Sequence, residues 1–144
     1  MAKPLKAGET LVDDLSGADL DYWVAKAEHR DHADLETLAI VDTGKGRLCM
    51  LNGAPYAPSS DMLRGGEIMR RNWIGTMRPS TGQKPPRWQA LGDMPDEARR
   101  RVFGPAGSFN SVVSAWDVDM LVAAMRVRVK MAHGESVAWT VCKS

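Results

Sequence analysis

The first clear periodicity starts at Leu20: Trp23, Val24 and Ala27 recur at i+3, i+4 and i+7 and trace one helical face. Ser16 with Asp19 three residues on, and Leu15 with Leu20 as staple residues, predict a helix over about 17–28. The period then shortens. Residues 37–41 and 47–51 are brief apolar runs separated by Asp42-Thr43-Gly44-Lys45-Gly46, the pattern of a β-hairpin. Pro55 and Pro58 hold the chain extended ahead of Ser59, Ser60 and Asp61, all suited to cap a second helix. Gly65-Gly66 weakens that helix, which is expected to resume over 67–72 after a kink. Residues 73–77 and 87–91 read as strands around a proline- and glycine-rich loop. A short helix over 95–99, with proline and acids in its first turn, is broken by glycine and proline at 104–108. The last helix has Asp117 as its expected N-cap, Trp116 and Leu121 as staple, and Leu121, Val122, Met125 and Val129 as its stripe. Gly134 stands at its C′ position, and residues 137–141 close the chain as a strand. The sum is an α+β fold: a small, mostly antiparallel sheet of about five short strands, packed by two to three main helices in a sandwich-like arrangement.

Composition narrows this by exclusion. With 144 residues, 44% hydrophobic and 26% charged, the chain reads as a single soluble domain over 1–144, its first ten residues flexible. A domain of this length folds without disulfides or metal. The longest apolar run, 120–125, falls far short of the ~20 residues of a membrane span. Charge without an apolar stretch behind it at the N-terminus, and only Cys49 and Cys142, point to a reducing cytoplasm. Of five tryptophans, Trp23 and Trp116 take core positions, while alternation is expected to bury Trp73, Trp88 and Trp139 in strands.

Candidate chemistry is sparse. No nucleophile elbow or phosphate loop is present, and Gly44-Lys45-Gly46 precedes a strand, so it reads as a hairpin turn. His29 and His32 stand at i, i+3, which can hold a metal only with a third ligand from elsewhere. A solvated, acid-rich helix end is the simpler account. His133 is expected to meet the last carbonyls of its helix, and Cys49 to be a buried, inert thiol. No catalytic residue, metal or cofactor is therefore expected. Tyr56, Ser59, Ser60, Asp61, Gly65 and Gly66 form a helix start able to hold an anionic ligand, which leaves open a protein, an enzyme included, that binds or acts on a small molecule or nucleotide at 56–66. The same residues are what a capped helix requires.

Charge is unevenly distributed. Glu9, Asp13, Asp14, Asp19, Asp21, Glu28, Asp31, Asp34 and Glu36 face only Lys26 and Arg30 in sequence. Arg64, Arg70, Arg71, Arg78, Lys84 and Arg87 are offset only by Glu67, and Arg99, Arg100 and Arg101 extend the basic side. Arginines interleaved with Trp73 and Trp88 suit phosphates and stacked bases, which implies weak, salt-sensitive nucleic-acid binding. The competing account pairs the acidic and basic segments within the chain or across a homo-oligomer, and a net charge of +1 favours it.

Residues 15–28, Leu-Ser-Gly-Ala-Asp-Leu-Asp-Tyr-Trp-Val-Ala-Lys-Ala-Glu, resemble the opening of the phage NinX-like family. Tyr56-Ala57-Pro58-Ser59-Ser60-Asp61 followed by Gly65-Gly66 and Ile68 is similar to that family's Tyr-Ser-Pro-Ser-Thr-Asp…Gly-Gly-Pro-Ile. Trp88-Gln89-Ala90 matches its Trp-x-Ala, and Ala123-Ala124-Met125-Arg126 with Gly134-Glu135-Ser136-Val137 resembles its closing helix. The resemblance implies a phage or prophage protein and transfers no chemistry. It is consistent with a non-enzymatic accessory protein that binds a host or phage protein or nucleic acid. Glu67 stands in place of the family's proline, and Arg70 stands near where the family tends to carry an acid. Val118-Asp119-Met120 replaces Thr-Pro-Leu, and residues 92–115 read as an insertion or loop.

Overall fold

The structure, a computed structural model, describes residues 8–29, 37–78, 87–93 and 112–139. The elements in chain order are β1 (Glu9–Leu11), a 3-10 turn (Val12–Asp14), α1 (Gly17–Glu28), β2 (Ala39–Thr43), β3 (Gly46–Leu51) and β4 (Ala54–Pro55). They continue with α2 (Met62–Arg71), β5 (Gly75–Met77), β6 (Trp88–Asp93), β7 (Val112–Asp117), α3 (Met120–His133) and β8 (Ser136–Ala138).

Helix α3 organises the domain. Its buried residues Leu121, Ala123, Ala124, Met125, Val127 and Val129 run around the whole cylinder, and a helix apolar on all sides must be covered on all sides. α1 covers one flank, α2 another, and β5, β6 and β7 a third. α1 in turn buries Leu20, Trp23, Val24 and Ala27, the stripe its sequence predicts, between α3 and the β2–β3 hairpin.

The α+β class stands, but a single sheet of about five strands does not form. Among the described residues, eight strands make three separate antiparallel sheets, β1–β8, β2–β3–β4 and β5–β6–β7. One sheet could cover only one side of the α1–α3 pair, so the strands divide between its faces.

Several local expectations are corrected. Ser16 occupies the N-cap of α1, yet its side chain makes no capping bond, and Asp19 pairs instead with Arg47 at 2.9 Å. α2 runs through Gly65-Gly66 as one helix, started by Asp61, whose Oδ1 accepts the Leu63 N–H at 3.1 Å. The cap of α3 is Asp119, which accepts the Leu121 and Val122 amides. Asp117 instead accepts the Asp119 N–H at 2.8 Å and pairs with Arg126. Gly134 does close α3, at φ +89°. Trp73 lies outside any strand and is exposed, whereas Trp88 and Trp139 are half-buried. β7 has no counterpart in the sequence reading. Of the segment 92–115, Gly92 and Asp93 belong to β6 and residues 112–115 to β7. The expected helix at 95–99, the break at 104–108, His32, Lys84, Arg99 to Arg101, Cys142, the end of the last strand and residues 1–7 lie outside the described residues.

Candidate functional site

The segment from Tyr56 to Gly66 forms a joint between α1, β3 and α2. The Tyr56 N–H donates to the Cys49 carbonyl at 2.9 Å, and the Ser59 N–H donates to Asp21 Oδ1 on α1 at 2.9 Å. Tyr56, Ser59 and Asp21 are all buried. Gly65 is required by proximity: a Cβ there would stand 2.4 Å from the Pro58 carbonyl oxygen and 2.9 Å from Leu121 Cδ2. Gly66 faces open space. Ser60 is exposed, with its hydroxyl turned back on the Ala57 carbonyl at 3.4 Å.

Burial sets the protonation behaviour here. It raises the Asp21 carboxyl from 3.8 to about 6, against the opposing pull of the Ser59 amide and hydroxyl. It pushes the Cys49 thiol up to about 12, with the Asp21 charge adding to the effect. Burial likewise lifts the Tyr56 phenol above its ordinary range, helped by Glu28 and opposed by Arg64. A thiol and a phenol held neutral are poor nucleophiles at physiological pH. Arg64 lies over the Tyr56 ring at 5.1 Å and the His29 ring approaches it at 6.4 Å, so both sides of the joint are packed.

The basic segment divides in two. Arg71 pairs with Glu28 at 2.8 Å, and Arg128 of α3 takes the other oxygen of the same carboxylate at 2.6 Å. Here the acidic and basic segments do meet within the chain. Arg64, Arg70 and Arg78 are exposed and form no ion pair among the described residues, and Arg87 rests 6.0 Å from the Trp116 ring. Trp88 occupies the first position of β6 opposite Asp117, away from the Tyr56 joint in sequence and sheet. The structure therefore gathers Tyr56, Ser59, Asp61 and Gly65, and places the arginines on several elements.

Sequence reasoning missed two buried cations on α3. Arg126, 8% exposed, donates through Nε to the Leu15 carbonyl at 2.9 Å and through Nη1 to the Trp116 carbonyl at 3.0 Å. Lys130, 4% exposed, donates to the Ser114 carbonyl at 2.8 Å and meets Asp13 at 2.9 Å and Glu135 at 3.3 Å. With Arg87, Trp116, Ser114 and Asp13 they line a cavity of about 240 Å³. Their carbonyl and carboxylate partners tie α3 to β7 and to the chain before α1. Among the described residues no cluster of three or more His, Cys, Asp or Glu could hold a metal, and no helix is long and apolar enough to cross a membrane. His133 sets its ring edge against Trp23, with centroids 5.2 Å apart.

On the far side of the joint, α2 turns Leu63 and Arg70 to one face, seven residues apart, with Glu67 between them. Leu63 is 84% exposed, Met62 59%, and Trp73, just past the helix, 87%. In comparison with known families, the family model described as Bacteriophage P22, NinX matches residues 11–132. A comparison with curated proteins finds no match.

Proposed function

The chain belongs to the phage NinX family, and from that premise we propose a phage- or prophage-encoded accessory protein that binds a host or phage macromolecule in the host cytoplasm and catalyses no reaction. The observation that carries this reading is the exposure of Leu63 near the start of α2 and of Trp73 just past its end, with Arg70, which forms no ion pair among the described residues, between them in the chain. Large apolar side chains exposed together with arginine are costly to a fold and characteristic of interaction surfaces. The buried ionisable groups support it from the other side, since the side chains of Asp21, Arg126 and Lys130 are engaged in holding elements together. The Tyr56–Gly66 segment is left out of the proposal because the Tyr56 and Ser59 amides are engaged by Cys49 and Asp21, and Asp61 caps α2.

The test is retention from phage-infected cell lysate on immobilised protein, with a Leu63→Glu variant alongside. A protein or nucleic acid held by the wild type and released by the variant supports the proposal. Nothing above background on either overturns it.

A further inference from the structure

Trp73 sits where the fold would be better served by glycine. α2 ends in a Schellman motif: the Ile74 N–H donates to the Met69 carbonyl at 2.9 Å, and the Trp73 N–H to the Arg70 carbonyl at 3.5 Å. Trp73 is thus the C′ residue, with φ +55°, a left-handed conformation unfavourable to a bulky side chain. The apolar lock of the motif comes from Ile74, which is buried, and from Met69, half-buried against the core. The indole contributes little packing, being 87% exposed. A residue that strains the backbone and packs on so little has its use outside the fold.

The charges around it are just as uneven. Arg47, Arg71, Arg126, Arg128 and Lys130 all have carboxylate partners. Arg64, Arg70 and Arg78, on either side of Trp73 in the chain, have none among the described residues. The Arg70 carbonyl accepts the Trp73 N–H, so the two residues lie within one turn of each other.

We propose that Trp73 and Arg70, with Arg78 following in the chain, form a surface for single-stranded nucleic acid, with an unstacked base on the indole and phosphates on the two arginines. This rests on the macromolecule-binding reading above and names its partner. Charge complementarity selects the occupant: Arg70 and Arg78, exposed and without ion pairs among the described residues, lie on either side in sequence of one exposed aromatic and suit the repeating phosphate and base of a strand. A duplex is disfavoured, because its bases are already stacked on one another and none is free to lie on the indole.

The experiment is fluorescence anisotropy of labelled oligothymidylate and of a duplex of equal length, titrated with protein at rising salt. The proposal expects the single strand to bind more tightly, with a log–log salt slope of about −1.4 for two phosphates. Trp73→Gly should weaken binding about five- to a hundred-fold while its melting temperature stays level or rises. Arg70→Ala should flatten the slope by about 0.7. Absence of binding at low ionic strength, or affinity unchanged in Trp73→Gly, overturns the inference. Should oligonucleotide binding fail while nuclease-treated lysate still yields a protein that Trp73→Gly loses, the nucleic-acid partner is wrong and the broader reading survives. Failure of both removes both.

Discussion

Replacing Asp21 by asparagine keeps an oxygen to accept the Ser59 N–H, held at 2.9 Å, and removes a negative charge from a side chain only 4% exposed. Burial raises the folded pKa from 3.8 to about 6. An acid whose folded pKa lies above its unfolded value stabilises the fold while protonated, and that advantage disappears as the pH climbs from one value to the other. Asp21 therefore weakens the domain progressively between about pH 4 and pH 6. At 1.36 kcal/mol per unit, a shift of roughly two units amounts to about 3 kcal/mol. Asp21→Asn carries no such penalty. Urea denaturation of both proteins across about pH 4 to pH 8 isolates the effect, because every other titrating group is common to the two. The difference in stability should be small near pH 4, grow in favour of the variant, and level off above about pH 6. A difference independent of pH, or a variant less stable than wild type at neutral pH, would refute the reasoning and mean that the charged carboxylate is itself favourable in the joint.

Gly65→Ala should cost about 2 kcal/mol or more by forcing a Cβ onto the Pro58 carbonyl, whereas Gly66→Ala, in open space, should gain up to about 1 kcal/mol of helix propensity; thermal melts of the pair show the opposite signs. Glu28→Gln leaves the half-buried Arg128 without its counter-charge and should lose about 2–3 kcal/mol, while Arg71→Ala, at the exposed end of the same carboxylate, should lose less than about 1 kcal/mol in the same denaturation assay. Asp119→Ala removes the acceptor of two α3 amides and should lower stability by about 1 kcal/mol, with Asp117→Ala costing more if its contact with Arg126 matters beyond the cap.

What the sequence disclosed was governed by periodicity. α1 and the stripe of α3 repeat their apolar residues often enough to be read, and the β2–β3 hairpin announces itself by a short turn between apolar runs. The division into three sheets could not be read, since β1 and β8 are three residues each and pair across nearly the whole chain. Trp73 was misplaced because an aromatic beside a strand resembles a core residue, and nothing local reveals a positive φ. Asp21 follows Leu20 on α1 and looks like a solvent-facing acid; its partner Ser59 is 38 residues away. Arg126 and Lys130 were overlooked for the same reason, as their acceptors are carbonyls on β7 and before α1. The Tyr56–Asp61 segment was legible as a helix start, and its family pattern as a resemblance. Its role as a packed joint depended on contacts that only the folded chain provides.

The claim at the centre of this account is that the end of α2 is shaped for a partner at some expense to the fold, and Trp73→Gly tests it in a single protein. Glycine relieves the left-handed strain, worth about 1 kcal/mol, so the melting temperature should hold or rise by about 2–5 °C while retention of the bound macromolecule collapses. A variant that melts several degrees lower yet binds as the wild type does would contradict the account, placing Trp73 among the residues that serve the fold.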